Sequence, residues 1–200
     1  MDRLPRSAHI ATVYVTIVSI FLGLALEDLV SIVRSIEHPT LFEWAVAVFV
    51  VHIILNAWVG FSSLAISIQL VPNPWDAANV FLLSAAHFSL NSFVGAEPHM
   101  FFGAAGIYMF VGGLTLLYNV YRASTDPGSG VIVKNFYLLL FLNVWGGCSY
   151  LLFAYLAYEQ LLGDTIELII ALFSIPTATL WLWVFWRAWS RSSIEQTEGT

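Results

Sequence analysis

Apolar residues are grouped along the chain into six long blocks, which short polar segments separate. A helix that rises about 1.5 Å per residue needs about 20 apolar residues to cross a bilayer. The blocks are of that order of length, so the pattern predicts six transmembrane helices. The predicted spans are Ile10–Val33, Trp44–Leu70, Ala77–Phe93, Phe101–Tyr121, Phe136–Tyr158 and Ile166–Trp186.

The composition favours a membrane protein and excludes a soluble enzyme. The 200-residue chain is 59% hydrophobic and 10% charged, whereas a soluble domain carries about 25% charged residues. The net charge of −6 gives no support to nucleic-acid binding. Cys148 is the single cysteine, so an intrachain disulfide is impossible. We therefore expect one all-α domain over residues 1–200, an integral membrane bundle of six transmembrane helices.

The seven basic residues predict the orientation of this bundle. If the N-terminus is cytoplasmic, only Arg34 lies on the outer side, and basic residues concentrate on the cytoplasmic side of membrane proteins. We therefore expect both termini in the cytoplasm and a multi-pass location in a bacterial inner membrane. The residues assigned to the inner side are Arg3, Arg6, Arg122, Lys134, Arg187 and Arg191.

The two halves of the chain share a similarity that predicts an internal duplication. Asn56 in the second block recurs as Asn143 in the fifth, and each is followed by tryptophan two residues later and by glycine four residues later. Repeats over residues 9–98 and 99–188 would have opposite orientations, as in the inverted repeats of many transporters. The alternative is that two helices independently use asparagine and glycine for close packing.

Four ionisable residues lie inside the predicted spans of the first half, where each is costly unless it is paired or hydrated. Glu27 and Asp28 belong to the first span, His52 to the second and His87 to the third. Counting residues from the span ends places all four at similar depths, about 9 to 12 Å from the outer ends. Three neighbouring helices could therefore bring them together.

Each of the two histidines has an asparagine on its own helix face, one turn away. Asn56 follows His52 by four residues, and Asn91 follows His87 by four residues. Asn143 in the fifth span adds another uncharged hydrogen-bonding group. We therefore select the four ionisable residues and these three asparagines as candidates for the wall of an ion or substrate pathway.

Several kinds of chemistry fit this set. A buried carboxylate beside imidazoles can exchange protons or bind small cations. Asp28, His52 and His87 could instead hold a transition metal, and His52 and His87 could be the two axial ligands of haem. The structural alternative is that the polar side chains only join helices through hydrogen bonds.

The leading hypothesis is a channel or transporter for protons, small cations or a small solute. The alternatives are a haem- or metal-binding redox protein and an accessory membrane subunit without activity of its own. The sequence lacks a Walker loop and a His-Glu-x-x-His motif, so we favour a role other than catalysis. The expected partners are the lipid bilayer, a small ion or solute and further copies of the chain, because 22.3 kDa barely encloses a pathway.

Overall fold

A computed structural model describes the backbone over residues 6–67, 74–124 and 130–198, and the side chains over residues 12–62, 74–122 and 137–184. Within these residues the chain forms six α-helices and no strand. The helices are α1 (Arg6–Ser35), α2 (Leu41–Ser67), α3 (Pro74–Asn91), α4 (Pro98–Ser124), α5 (Gly130–Tyr158) and α6 (Asp164–Glu198). The predicted all-helical bundle is confirmed.

Counted over the described residues, five of the six helices are long and apolar enough to cross a membrane, and α3 is the exception. The apolar stretches are Thr12–Ser35, Leu41–Ser62, Pro98–Arg122, Tyr137–Tyr158 and Asp164–Val184. α3 has 18 residues and is therefore about 27 Å long. It carries five buried polar side chains, which lower its hydropathy and contribute to the interior of the bundle.

The bundle is built from two close helix pairs. α4 runs along α5, and α2 runs along α6, whereas α5 and α6 contact each other over a much shorter stretch. α1 packs against α2 and α3, and α3 also packs against α4. Because α5 and α6 belong to different pairs, their direct contact is short, and it includes a buried hydrogen bond from the hydroxyl of Tyr150 to the hydroxyl of Ser174.

Small residues allow the close contact between α4 and α5. A Cβ atom added to Gly106 would lie 2.8 Å from Cγ of Leu151 and 3.2 Å from the carbonyl oxygen of Gly147. Only hydrogen fits at that position, as is common where transmembrane helices approach closely. Gly103, one turn earlier on α4, has more room, since its added Cβ would lie 3.9 Å from Cβ of Ala154.

Aromatic side chains form the core where α2, α4 and α5 meet. Phe49 of α2 packs against Phe101 and Tyr150, and Phe102 packs against Tyr150 and Phe153, with ring centroids 5.8 to 6.3 Å apart. Aromatic pairs of this kind contribute about 0.5–1.5 kcal/mol each beyond the area that they bury. They join the two helix pairs near the predicted outer half of the membrane.

The inverted repeat, the cytoplasmic termini and the homo-oligomer remain predictions. Of the basic residues on which the orientation depends, the structure describes the side chains of Arg34 and Arg122, each in the last turn of its helix. Arg3 lies outside the described residues, and so does Leu70, the end of the second predicted span. The side chains of the other four basic residues, Arg6, Lys134, Arg187 and Arg191, also lie outside the described part of the chain.

Candidate functional site

α3 carries a polar face that is buried against its neighbours. Asp76, Asn79, Ser84, His87 and Asn91 are all buried, and their spacing of three to five residues places them along one side of the helix. A buried polar group must find a hydrogen-bond partner or lose free energy. The partners of this face show which helices α3 joins.

Near its C-terminal end, which is the predicted outer end, α3 is bonded to α1. The fully buried Asn91 donates from Nδ2 to the carbonyl oxygen of Ala25 at 2.7 Å and to Oδ2 of Asp28 at 3.0 Å. Two of the predicted site residues, one ionisable and one uncharged, are therefore neighbours. Asp28 accepts a hydrogen bond from an uncharged amide, which orients the carboxylate and fixes the position of α3 beside α1.

One turn earlier on α3, His87 is completely buried and both of its ring nitrogens are engaged. Nδ1 lies 2.8 Å from the carbonyl oxygen of Leu83, and Nε2 lies 3.0 Å from the hydroxyl of Tyr108 on α4. A neutral imidazole satisfies both contacts, since Nδ1–H donates to the carbonyl and Nε2 accepts from the hydroxyl. Because neither nitrogen is free, this arrangement favours a structural hydrogen bond over haem ligation by His87.

Replacing Tyr108 with phenylalanine should lower the free energy of unfolding by about 1–3 kcal/mol, because Nε2 of His87 would remain buried without a donor. Unfolding in detergent micelles, followed by circular dichroism, measures this loss. Tyr121→Phe is the matched control, since the Tyr121 side chain is exposed at the end of α4. Equal stability of the two variants would show that the His87–Tyr108 contact does not stabilise the fold.

At the predicted inner end, α3 and α4 are joined by an ion pair that sequence reasoning missed. Asp76 is buried and accepts from the hydroxyl of Tyr118 at 2.8 Å and from Nε and Nη2 of Arg122, both at 3.3 Å. Asn79, one turn further along α3, donates to Oδ1 of Asn119 at 3.2 Å. The sequence did contain a signal for this ion pair, since an acid and a base lie at the same end of two consecutive antiparallel spans.

A cavity with a volume of about 490 Å³ lies between the two helix pairs. α2, α4, α5 and α6 supply nearly all of its wall. Among the described residues that line it there is no aspartate, glutamate, lysine, arginine or histidine. Its hydrogen-bonding groups are those of Asn56, Tyr108, Thr115, Asn119, Asn143, Trp145, Ser149, Tyr150, Ser174, Thr177 and Trp181.

Two of the predicted asparagines, Asn56 and Asn143, contribute to this wall. Asn56 donates from Nδ2 to the carbonyl oxygen of Ala178 on α6 at 2.9 Å, while its buried Oδ1 has no hydrogen-bond partner within the described part of the chain. Asn143 donates to the carbonyl oxygen of Leu139 at 2.9 Å. Its Oδ1 lies 2.9 Å from where a Cβ atom on Gly112 would be, so the glycine makes room for the amide.

The polar groups of the cavity are distributed unevenly along the membrane normal. Three asparagines of the wall lie in the half of their apolar stretches that is predicted to face the cytoplasm, namely Asn56, Asn119 and Asn143. We call this part of the cavity its inner end. Phe153 and Ile169 lie on the other side of the middle. The cavity is therefore amide-lined at its inner end and mainly apolar at its outer end.

The remaining predicted site residues lie outside the lining of this cavity. Asp28, His87 and Asn91 form the contacts of α3 with α1 and α4. Glu27 is exposed, and His52 is partly buried with Nδ1 2.8 Å from the carbonyl oxygen of Val48 on its own helix. Within the described residues, no hydrogen bond or ion pair joins Glu27 or His52 to Asp28, His87 or Asn91. In the same part of the chain, no group of three carboxylate, imidazole or thiol side chains is placed to bind a metal.

Comparison with known protein families, curated proteins and solved structures finds no match for this chain.

Proposed function

We propose that the protein is a channel or transporter for a small uncharged solute, which passes through the cavity between α2, α4, α5 and α6. The observation that carries this proposal is the chemistry of the described cavity wall, which offers amides and hydroxyls but no carboxylate, imidazole, ammonium or guanidinium group. Of the three classes of solute that the sequence suggests, this wall favours the uncharged one over protons and cations.

The cost of desolvation supports this choice. A cation that leaves water for an apolar cavity loses its hydration, and without a carboxylate nearby little replaces that loss. An uncharged solute loses far less, and a few amides recover its hydrogen bonds. The volume of about 490 Å³ also lies within the range of roughly 300–1,000 Å³ that is typical of small-molecule sites.

Asn56 is the residue with the clearest role in binding the solute. Its Nδ2 is occupied by the carbonyl oxygen of Ala178, while its Oδ1 remains an acceptor without a partner among the described residues. A buried acceptor without a partner is costly, so a solute with a hydroxyl or amide donor gains free energy by supplying one. The bond to Ala178 holds the side chain against α6.

The test is flux into liposomes that contain the purified protein. We expect uptake of glycerol or monodecanoylglycerol, and no flux of protons or potassium beyond that of protein-free liposomes. Asn56→Leu should reduce the uptake of the uncharged solute at least tenfold, because the amide is lost while the number and branching of the side-chain heavy atoms are kept.

Thr179→Val is the matched control, since this exposed hydroxyl lies on α6 outside the cavity wall and, within the described residues, bonds only to the carbonyl oxygen of Ile175. Its uptake should equal that of the wild type. Proton or potassium flux in the wild type, with no uptake of either uncharged probe, would overturn the proposal.

A further inference from the structure

The cavity wall between α5 and α6 reaches the outer surface of the bundle. Trp145 of α5 and Phe173 of α6 both line the cavity, yet their side chains are 65% and 72% exposed. The two helices contact each other over a short stretch, where the hydroxyl of Tyr150 donates to that of Ser174, and Trp145 lies more than one helical turn from Tyr150 towards the inner end. The cavity is therefore accessible from the side of the bundle, between these two helices.

This side opening is near the middle of the membrane. Trp145 is within three residues of the centre of the stretch Tyr137–Tyr158, and Phe173 is within one residue of the centre of Asp164–Val184. At about 1.5 Å per residue, both lie less than about 5 Å from the midplane. A hydrocarbon core about 30 Å thick covers that depth, so the opening faces acyl chains rather than water.

The interior behind this opening is amphipathic. Its inner end presents Asn56, Asn119 and Asn143, whereas Phe153 and Ile169 line the opposite end. The volume of about 490 Å³ is near the lower end of the range of roughly 300–1,000 Å³ that is typical of small-molecule sites. That size suits an amphiphile with one acyl chain and is too small to enclose a lipid with two long chains.

We infer that the cavity binds an uncharged amphiphile with a single acyl chain, which enters from the bilayer between α5 and α6. Its hydrogen-bonding head lies at the amide-lined inner end, and its chain extends towards Phe153 and Ile169. The side opening explains how an apolar ligand reaches the site without crossing water, and the asparagines explain which end of the ligand points inward. This inference rests on the proposed function, because it takes the cavity to be the site that binds the solute. It adds the chemical class of that solute.

The test is photo-crosslinking in lipid nanodiscs with monodecanoylglycerol that carries a diazirine at the end of its acyl chain. Mass spectrometry of the wild type should place the crosslinks at the outer end of the cavity, on Phe153, Ile169 or their neighbours. Crosslinks at Asn119 and Asn143 instead would overturn the inferred orientation. This mapping needs no variant, so it stands even where a substitution prevents folding.

A paired substitution tests the side opening. Ser149 lines the cavity one turn from Trp145 on α5, and Ser149→Phe should reduce crosslinking at least tenfold by filling the gap. Leu152→Phe on the same helix is the control, because Leu152 is exposed and does not line the cavity, and it should label like the wild type. Unchanged crosslinking in a folded Ser149→Phe variant would refute entry between α5 and α6.

Flux and crosslinking together separate this inference from the proposed function. Glycerol uptake without crosslinking of the amphiphile would leave an uncharged-solute pathway and overturn the inferred ligand class. Crosslinking at the outer end of the cavity, without transmembrane movement of either probe, would support the amphiphile site and overturn transport.

Discussion

Replacing Asp76 with alanine is expected to lower the free energy of unfolding by roughly 3–5 kcal/mol, the usual cost of removing one partner from a buried ion pair. The side chain of Asp76 is 6% exposed and that of Arg122 is 22% exposed, so the guanidinium would lose its carboxylate in a partly desolvated place. The hydroxyl of Tyr118 would lose its acceptor as well. Unfolding of the purified protein in mixed micelles with increasing denaturing detergent measures the change.

Two further variants make this expectation specific. Asp76→Asn retains an acceptor for Tyr118 but removes the charge, so its loss of stability should be smaller than that of Asp76→Ala. Glu27→Ala removes an exposed carboxylate from α1 and should leave stability nearly unchanged. If Asp76→Ala were as stable as Glu27→Ala, the ion pair between α3 and α4 would not contribute to the fold.

The helices could be predicted from the sequence because their signal is local. A run of about 20 apolar residues indicates a transmembrane helix whatever its neighbours are. α3 shows the limit of this reasoning, since its hydropathy is lowered by side chains such as Asn79 and Asn91, which have partners on other helices. Their compatibility with the bundle interior depends on contacts that no single stretch of sequence contains.

The candidate site was predictable only in part, for a geometric reason. Counting residues gives the depth of a side chain, and it placed Asp28, His52 and His87 at similar heights. Rotation about the helix axis decides which neighbour each one faces, and depth says nothing about it. His87 contacts Tyr108 and Asp28 contacts Asn91, while the ring of His52 bonds to the backbone of its own helix.

The cavity was beyond prediction because it arises from contacts between distant parts of the chain. Asn56 and Ala178, which both line the cavity and are bonded to each other, are 122 residues apart. The pairing of α2 with α6 and of α4 with α5 creates the space, and a list of spans does not specify that pairing. The asparagines were recognisable as uncharged groups inside the membrane, but not as parts of one wall.

A second large loss of stability is expected from substitutions at the close contact between α4 and α5. Gly106→Leu should prevent stable folding, and Gly106→Ala should lower the free energy of unfolding by about 1–3 kcal/mol, the range found for overpacked interiors. The added Cβ would lie 2.8 Å from Cγ of Leu151 and 3.2 Å from the backbone oxygen of Gly147. The leucine side chain can rotate, but the carbonyl oxygen moves only if the helices separate.

Gly103→Ala is the matched control, since its new methyl group would meet only Cβ of Ala154 at 3.9 Å, an ordinary contact. It should be neutral or stabilising, because alanine favours a helix over glycine by about 1 kcal/mol. Similar losses for Gly103→Ala and Gly106→Ala would show that general helix packing matters rather than the close approach at Gly106. If Gly106→Ala alone is destabilising, it should also weaken crosslinking of the amphiphile, since α4 and α5 form one side of the cavity.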